Sequence, residues 1–542
     1  MRSAMTTQRM RFRKVCLVKF TRDESGSLTP FTMMMFFLML LIGGLAVDVM
    51  RHERTRVRLQ QTLDNSVLAA AARSQALDPE SVVRDYFDKA GLSEYLTSVT
   101  VEQGLNFRSV FADAEADTRP FFMSLMGIDE FFVNADSAAE EKISNVEVSL
   151  VLDISGSMGE NNNQRINALR PAAKNFVDTI LQSSEEGKAS ISIIPFATQV
   201  NAGSDVMAQY NAPRIPGQDY NSCVEFPESS YGSVALPTSL AMNHNGHFDP
   251  FSGDSGLSYT PRKFNCVYTN STSTSNIDLR SAANQMLPLS GSASAMKAKI
   301  DALHVGGNTS VEIGVKWGVA MLDPGTRDVT EALVVAGTVA DTFETRPLDY
   351  DPQETLKVLV VMSDGANTTE YRLKSAYRTG TSNIWWKSAT DVAVYFDRSG
   401  RTDDYYYPYS DQWKTTKPSG STNLTWPNVF KKYTLQAVAD NFLYKPSQYL
   451  PAKYSSVSNA LGAIRESIGT TAKNTRLDQI CDAAKASKIV VYSISFQAGD
   501  GADDLSDCAT PGTGYFFEGN AATIGSIFQT IANQISYLKL TL

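Results

Sequence analysis

Histidine is scarce, with four among 542 residues. His52 and His304 have no evident partner in the sequence. That leaves His244-Asn-Gly-His247 as the one pair from which a histidine-based metal or catalytic site could start. Positive charge is scarce after the first 60 residues. Residues 1–60 carry a net charge of +7 and the remainder −16, for −9 in all. An acidic body argues against nucleic acid as a partner, because phosphate contacts need a basic face. A second long apolar run is missing, so at most one segment can cross a bilayer. No repeat of 20–50 residues is visible. Charged residues are only 20% and hydrophobic residues reach 43%. The whole chain is therefore not disordered, collagen-like or a coiled coil. At ~100–200 residues per domain, its length suggests three or four units.

The one apolar run is long. Residues 25–47 carry no charge, and Phe31–Val47 reads FTMMMFFLMLLIGGLAV. A membrane-crossing helix needs ~20 such residues. Seven Lys and Arg lie between Arg2 and Arg22, a cluster that normally stays cytoplasmic. Arg51, Arg54, Arg56 and Arg58 follow the run, so the charge bias is clear but not extreme. The expectation is a basic cytoplasmic tail over 1–24, a transmembrane helix over 25–50 and the bulk outside. A cleavable signal with Gly44-Leu45-Ala46 as its small-residue site is the rival. Its apolar core would exceed the ~7–15 residues of such signals. Moreover, Leu59, Leu63, Val67 and Ala70 continue a helical stripe, as one long helix leaving a membrane would. The cysteines agree with export. Cys16 precedes the span, and Cys223, Cys266, Cys481 and Cys508 follow it. Those four allow three pairings. The two local pairs, Cys223–Cys266 and Cys481–Cys508, are preferred because each closes a short loop.

Past the span, the helical pattern continues to residue 76 and stops near Asp78-Pro79. A short helix over 80–91, strands over 99–103 and 107–114, a short helix over 120–126 and a strand over 131–135 follow. Residues 51–141 thus form a helical stalk and a small α+β module without a chemical motif. From Val146 the pattern changes. VEVSLVLD is a continuous apolar run, as a buried parallel strand requires. Helices over 164–183, 309–322, 472–487 and 521–538 alternate with strands over 189–197, 355–364 and 488–496. Such alternation predicts an α/β fold, a doubly wound parallel sheet flanked by helices, over 145–538. Long insertions interrupt it at about 200–300, 325–353 and 368–455. The tyrosine-dense stretch DDYYYPYSDQW (403–413) suits a partner surface or the packing of the insertion onto its sheet.

Ligands of doubly wound sheets bind at the carboxyl ends of the strands. Two strands end there in acidic clusters, LDISGSM (152–158) and SDGANT (363–368). Alternate oxygens of Asp153, Ser155 and Ser157 can converge on one point. Asp364 can add a second carboxylate, and Thr309, after Gly306-Gly307-Asn308, a third hydroxyl. These are hard donors, suited to Mg²⁺, Mn²⁺ or Ca²⁺ and not to zinc. The bland alternative, Asp153 and Ser155 capping the next turn, accounts for one cluster but not for three.

Asp-x-Ser-x-Ser after a buried strand, Gly-Gly-x-Thr and a later Ser-Asp-Gly resemble the metal-ion-dependent adhesion site of von Willebrand factor type A domains. The resemblance implies Ser155, Ser157 and Thr309 as direct ligands of a divalent ion, Mg²⁺ first. It implies Asp153 and Asp364 as ligands acting largely through water, with a partner's acidic residue completing the shell. Asp23-Glu-Ser-Gly-Ser, Gly44-Leu-Ala-Val-Asp48, Arg58-Leu-Gln-Gln-Thr-Leu-Asp-Asn-Ser-Val-Leu-Ala-Ala-Ala, Cys481-Asp-Ala-Ala-Lys and Phe528-Gln-Thr-Ile-Ala-Asn-Gln-Ile-Ser resemble TadG-like proteins of tight-adherence (Flp) pilus assembly. That family implies a single-pass protein of a bacterial inner membrane, with its bulk in the periplasm and other pilus-assembly or envelope proteins as partners. Related pseudopilins are cut after a glycine with a glutamate five residues on. Here Gly26 is followed at that offset by Phe31, with Pro30 before it, so a permanent anchor is expected.

Enzyme readings fare worse. Gly253-Asp254-Ser255-Gly256 looks like a serine-protease loop, but it continues Leu-Ser, and His244 precedes it out of any triad order. A zinc site from His244 and His247 would need Cys223 or Cys266, which disulfides would consume. Gly306-Gly307 with Lys316 lacks the spacing of a phosphate-binding loop. A phosphoryl-aspartate enzyme would want a carboxylate where Ser155 stands. The expectation is a binding protein rather than an enzyme. A surface adhesin and a metal-dependent envelope hydrolase are the alternatives.

Overall fold

The computed structural model describes residues 28–72, 75–103, 107–142, 145–218, 221–258, 263–266, 282–351, 354–450, 453–497 and 499–535. The basic tail (1–24), Cys16 and Gly26 lie outside the described residues. The chain divides into two compact units, with the boundary in the sequence near residue 143.

The first unit is built on one helix. α1 (Leu28–Ala71) runs 44 residues without a break, and by length and composition it is a candidate membrane span. It stops at Ala71, five residues before the expected end. Its outer half buries Leu59, Leu63 and Val67 against Val110, Ala112 and Ala114. These belong to an antiparallel sheet of β1 (Leu96–Gln103), β2 (Phe107–Thr118) and β3 (Phe131–Lys142). The strands alternate small apolar residues toward α1 with polar residues outward, as a one-sided sheet must. α2 (Pro79–Ala90) is capped by the Asp78 carboxylate, which accepts from Ser81 N at 2.9 Å. Its Val83 and Phe87 complete the core. The helix expected over 120–126 is a single 3-10 turn, Met123–Met126.

The second unit contains the α/β fold. Six strands, β4 (Asn145–Asp153), β5 (Ala189–Phe196), β6 (Leu287–Ser290), β7 (Thr355–Ser363), β8 (Val490–Phe496) and β9 (Phe516–Gly519), lie side by side in the order β9-β8-β7-β4-β5-β6. All neighbours are parallel except the edge strand β6, which runs antiparallel to β5. The winding starts at β4, moves outward through β5 and β6, then returns to β7 on its other side. α3 (Glu160–Gln182), α4 (Ala293–Ala302) and a C-terminal helix over Ile524–Ile535 cover one face. α5 (Val311–Ala320) and α6 (Thr470–Ala486) cover the other. Strand residues alternate between the two cores: Leu150 and Leu152 face α3, and Val151 faces α5. Disulfides join Cys223 to Cys266 and Cys481 to Cys508.

The described residues of the insertions pack onto the sheet or form structure of their own. Residues between β5 and β6 wrap α5, setting Tyr210 and Phe226 against Trp317. Residues after β7 form a separate antiparallel sheet of five short strands between Thr381 and Thr425, with its own apolar core. A two-stranded ladder, Glu370–Leu373 against Arg465–Ile468, closes its base. The tyrosine-dense stretch contributes mainly to packing. Tyr406 is fully buried and lies against Trp413, whereas Tyr409 is exposed.

Phe176 of α3 is fully buried and meets Phe528 edge-to-face at 5.8 Å. Truncating a packed aromatic costs about 3–5 kcal/mol. Phe176→Ala is therefore expected to lower unfolding free energy by about that amount in denaturant titration of the detergent-solubilised chain. A loss under about 1 kcal/mol would mean that the α3 interface is not part of the stable core.

Candidate metal centre

β4 and β7 are neighbours, yet the connections that leave their carboxyl ends go to opposite sides of the sheet. This is the switch point of a doubly wound fold, where the loops diverge and open a crevice. Asp153 ends β4 and Asp364 follows β7, so both carboxylates arrive there from rigid strands.

Four of the five expected residues are joined directly. Ser157 Oγ donates to Asp364 Oδ1 at 2.6 Å. Ser155 Oγ and Ser157 Oγ share a hydrogen bond of 3.0 Å. Asp153 Oδ1 accepts from Ser155 N at 2.7 Å, and its Oδ2 accepts from Ser363 Oγ at 2.6 Å. Thr309 lies on the adjoining loop, and its hydroxyl makes no hydrogen bond to the other four. The loops are nevertheless stitched together: Gly156 N donates to Gly307 O and Gly306 N to Ile154 O, at 3.0 and 2.9 Å. Gly307 has φ +93°, and a Cβ there would lie 2.9 Å from Thr198 Oγ1. Only glycine lets this loop come so close. After Ser157 the chain passes through Asn161, Asn162 and Asn163, all in the left-handed region, before α3 becomes regular. Asparagine tolerates that conformation better than other side chains.

Asp153 is fully buried. Burial, reinforced by the Asp364 charge, pushes its carboxyl up to about 7. Asp364 is also raised by burial, against the opposing pull of Ser157 and Arg165. Two adjacent carboxylates out of water favour an added positive charge. The chain supplies part of it through Arg165 of α3, whose Nη1 donates to Asp364 Oδ2 at 2.7 Å and to Ser157 O at 3.3 Å. The sequence pattern did not single out Arg165, because nothing in its spacing separates it from other helix-surface arginines. Ser363 and Lys473 were also missed. Ser363 stands beside Asp364 in the motif, so its place could have been read. Lys473 donates to Thr309 O, Thr368 O and Ser310 Oγ at 2.6–2.7 Å from a fully buried position. A lysine on the inner face of α6 was its one visible sign.

The competing constellations come apart. The Cys223–Cys266 disulfide takes both thiols that a zinc site would need. His244 accepts from Ile215 N through Nδ1, and its Nε2 meets Asn221 O. His247 stacks on Phe264 at 3.6 Å, and burial pushes its imidazole down to about 3. Among the described residues no group of three or more His, Cys, Asp or Glu could hold a metal ion.

Residues 26–73 match the family model described as putative Flp pilus-assembly TadE/G-like. That segment is essentially α1. No curated protein matches the chain. Among solved structures, the chain is similar to the von Willebrand factor domain of the type V pili tip protein Mfa5 from Porphyromonas gingivalis. Identity is 14%, the TM-score 0.31, and the match covers 73% of this chain and 96% of that one. It is similar also to the adhesive tip pilin GBS104 from Group B Streptococcus agalactiae, at 11% identity and TM-score 0.30, over 72% of this chain and 100% of that one. A third is proximal thread matrix protein 1 from the mussel byssus with a zinc-occupied MIDAS motif. It shows 8% identity and TM-score 0.26, over 72% of this chain and 46% of that one. The second unit is a doubly wound α/β fold, a mainly parallel six-stranded sheet with helices on both faces.

Beneath the site, Glu312 of α5 is fully buried, with Lys473 Nζ 3.8 Å away. Burial raises its carboxyl from 4.5 to about 7 despite that lysine. An acid raised in this way holds its proton more tightly in the folded chain. Its stabilising share is full below about 4.5 and is lost as pH rises through about 7. Glu312→Gln, which imitates the neutral acid, is expected to flatten the fall in melting temperature between about pH 5 and pH 8, measured in chelator. An equally steep fall in the variant would assign the dependence to other groups.

Proposed function

We propose that this is a membrane-anchored protein that assembles or anchors tight-adherence (Flp) pili, and that it captures its partner through a metal-ion-dependent adhesion site. One observation carries the reading. Asp153, Ser155, Ser157 and Asp364 meet at the switch point of a von Willebrand A-like sheet, in a chain that opens with a TadE/G-like helix. The donor set fits a hard divalent cation, being all oxygen, with two buried carboxylates and neutral hydroxyls. Ser155, Ser157 and Thr309 would hold the ion directly, and Asp153 and Asp364 through water. Mg²⁺ is the first choice, with Mn²⁺ and Ca²⁺ as alternatives. When bound, the ion supplies an electrophilic position for an acidic side chain of the partner.

The protein's own residues pre-form this site. Ser363 fixes the Asp153 carboxylate and Arg165 fixes Asp364, leaving Oδ1 of Asp364 toward the two serines. Lys473 pins the Thr309 loop through its carbonyl. The hydroxyls and carboxylates of this cluster are read as ligands of the ion, and the site as one that binds a partner. With the basic tail in the cytoplasm, α1 crosses the inner membrane once and the second unit works in the periplasm.

Two expectations follow from this reading. Ser363→Ala removes a partner of a water-mediated ligand, a kind of change that weakens metal affinity about 10–100-fold. Calorimetric titration with Mg²⁺ or Mn²⁺ would show it, and unchanged affinity would separate Asp153 from metal binding. In cells, a deletion strain carrying Ser155→Ala plus Ser157→Ala at wild-type protein level is expected to lose surface pili under electron microscopy. Normal pilus numbers would sink partner capture through this site.

A further inference from the structure

The loop between β2 and β3 sits beside the apolar half of α1 and is itself apolar. Phe121, Leu125 and Met126 are 68%, 85% and 59% exposed. A water-soluble module has no reason to display such a tip. The tip is also held firmly. The Asp48 carboxylate, at the outer end of the apolar run, accepts from the backbone N–H of Phe121, Phe122 and Met123 at 3.0, 2.7 and 2.8 Å. Phe122 lies so close over Gly44 that a Cβ there would come within 2.4 Å of its ring. Below this clasp, Phe37, Leu40 and Leu41 of α1 face Phe122, Leu125 and Met126 across an apolar groove of about 340 Å³.

Above the clasp the chemistry reverses. A cavity of about 350 Å³ is lined by Arg51, Arg54, Arg58 and Arg119, with His52 and Asp48. Four guanidinium groups line it against Asp48, with Glu130 standing 3.9 Å from Arg119, so it stays cationic, and Asp48 is already engaged by the loop. Arg54 has no carboxylate partner among the described residues. Arg51 is parked over the Phe121 ring at 4.4 Å, at the boundary itself. His52 Nδ1 is buried without a hydrogen-bond partner among the described residues. An apolar groove that opens into an arginine-lined cavity, at the level where a membrane helix leaves the bilayer, has the polarity of a phospholipid. The groove matches an acyl chain and the cavity a phosphate-bearing head.

We propose that the first unit binds one anionic phospholipid, its headgroup phosphate in the arginine cavity and an acyl chain in the groove beside the β2–β3 loop. The proposal rests on α1 crossing a membrane, and on nothing in the metal site. The arginines on this side of the span, which weaken the charge asymmetry of the anchor, then have a local function. Arginine suits it, because its planar fork matches phosphate oxygens.

The test uses the full-length chain in mild detergent, offered phosphatidylglycerol or phosphatidylcholine with the same acyl chains and read by native mass spectrometry. Phosphatidylglycerol adducts are expected to persist and phosphatidylcholine adducts to be lost. An arginine at an anionic lipid surface contributes about fivefold. Arg54→Gln plus Arg119→Gln is therefore expected to cut retention about thirtyfold. Both residues are exposed, so the melting temperature should hold. Arg54→Lys plus Arg119→Lys should keep most of the binding. Equal retention of both lipids, no effect of the Gln pair, or displacement by inorganic phosphate would overturn the proposal. Flotation with vesicles tests the anchor separately. A chain that enters no vesicle sinks the membrane span, whereas one that enters both kinds yet retains neither lipid sinks only the lipid site.

Discussion

Two carboxylates, Asp153 and Asp364, are held side by side out of water, and much of the second unit is arranged around the cost of doing so. Like charges in a low-dielectric site raise each other's pKa and must be matched by donors or cations. The matching groups come from separate stretches of chain: Ser155 and Ser157 after β4, Ser363 at the end of β7 and Arg165 from α3. Only the reversal of winding between β4 and β7 brings these stretches to one place. The topology of the sheet and the chemistry of the site are thus one constraint seen at two scales.

The same constraint reaches into the insertion after β7. Asn308 Nδ2 donates to Thr369 O, and Gln199 Nε2 donates to Glu370 Oε1. Glu370 begins the ladder that closes the insertion's base and pairs with Arg372, while Arg476 of α6 stands 3.5 Å away. Lys473, one turn earlier on α6, holds the Thr309 loop. The five-stranded insertion is therefore coupled to the site through a buried ionic lattice under its loops. Breaking one member of such a lattice leaves an uncompensated buried charge, a larger penalty than the loss of a surface pair.

The elements legible in the sequence were those whose signal is local. β4, β5, β7 and β8 are apolar runs, and the helices between them carry a clear stripe. The edge strands escaped notice. β6 is Leu-Pro-Leu-Ser and β9 is Phe-Phe-Glu-Gly, each four residues long, and both are strands only because a neighbour offers its backbone. The sheet inside the 368–455 insertion was hidden for the same reason: Thr381–Ser388 pairs with Thr422–Thr425 across more than thirty residues of chain. Within the site, the ligand-type residues could be read because they form short motifs. Arg165 and Lys473 could not, since their roles arise where three separated segments meet. α1 was visible as one helix because its apolar run and its packing stripe are continuous, though the helix ends at Ala71, short of the expected residue 76.

The clasp between Asp48 and the β2–β3 loop has a mechanical consequence. A lone helix in a bilayer is free to spin about its own axis and to slide along it. Three amide bonds to one carboxylate, with Phe122 seated on Gly44, turn helix and loop into a two-toed foot. In the proposed anchoring, such a foot would have a fixed heading and a fixed depth. In that anchoring, load applied to the rest of the chain is then shared by helix and loop, and the helix offers lateral neighbours only the sides that the loop leaves open.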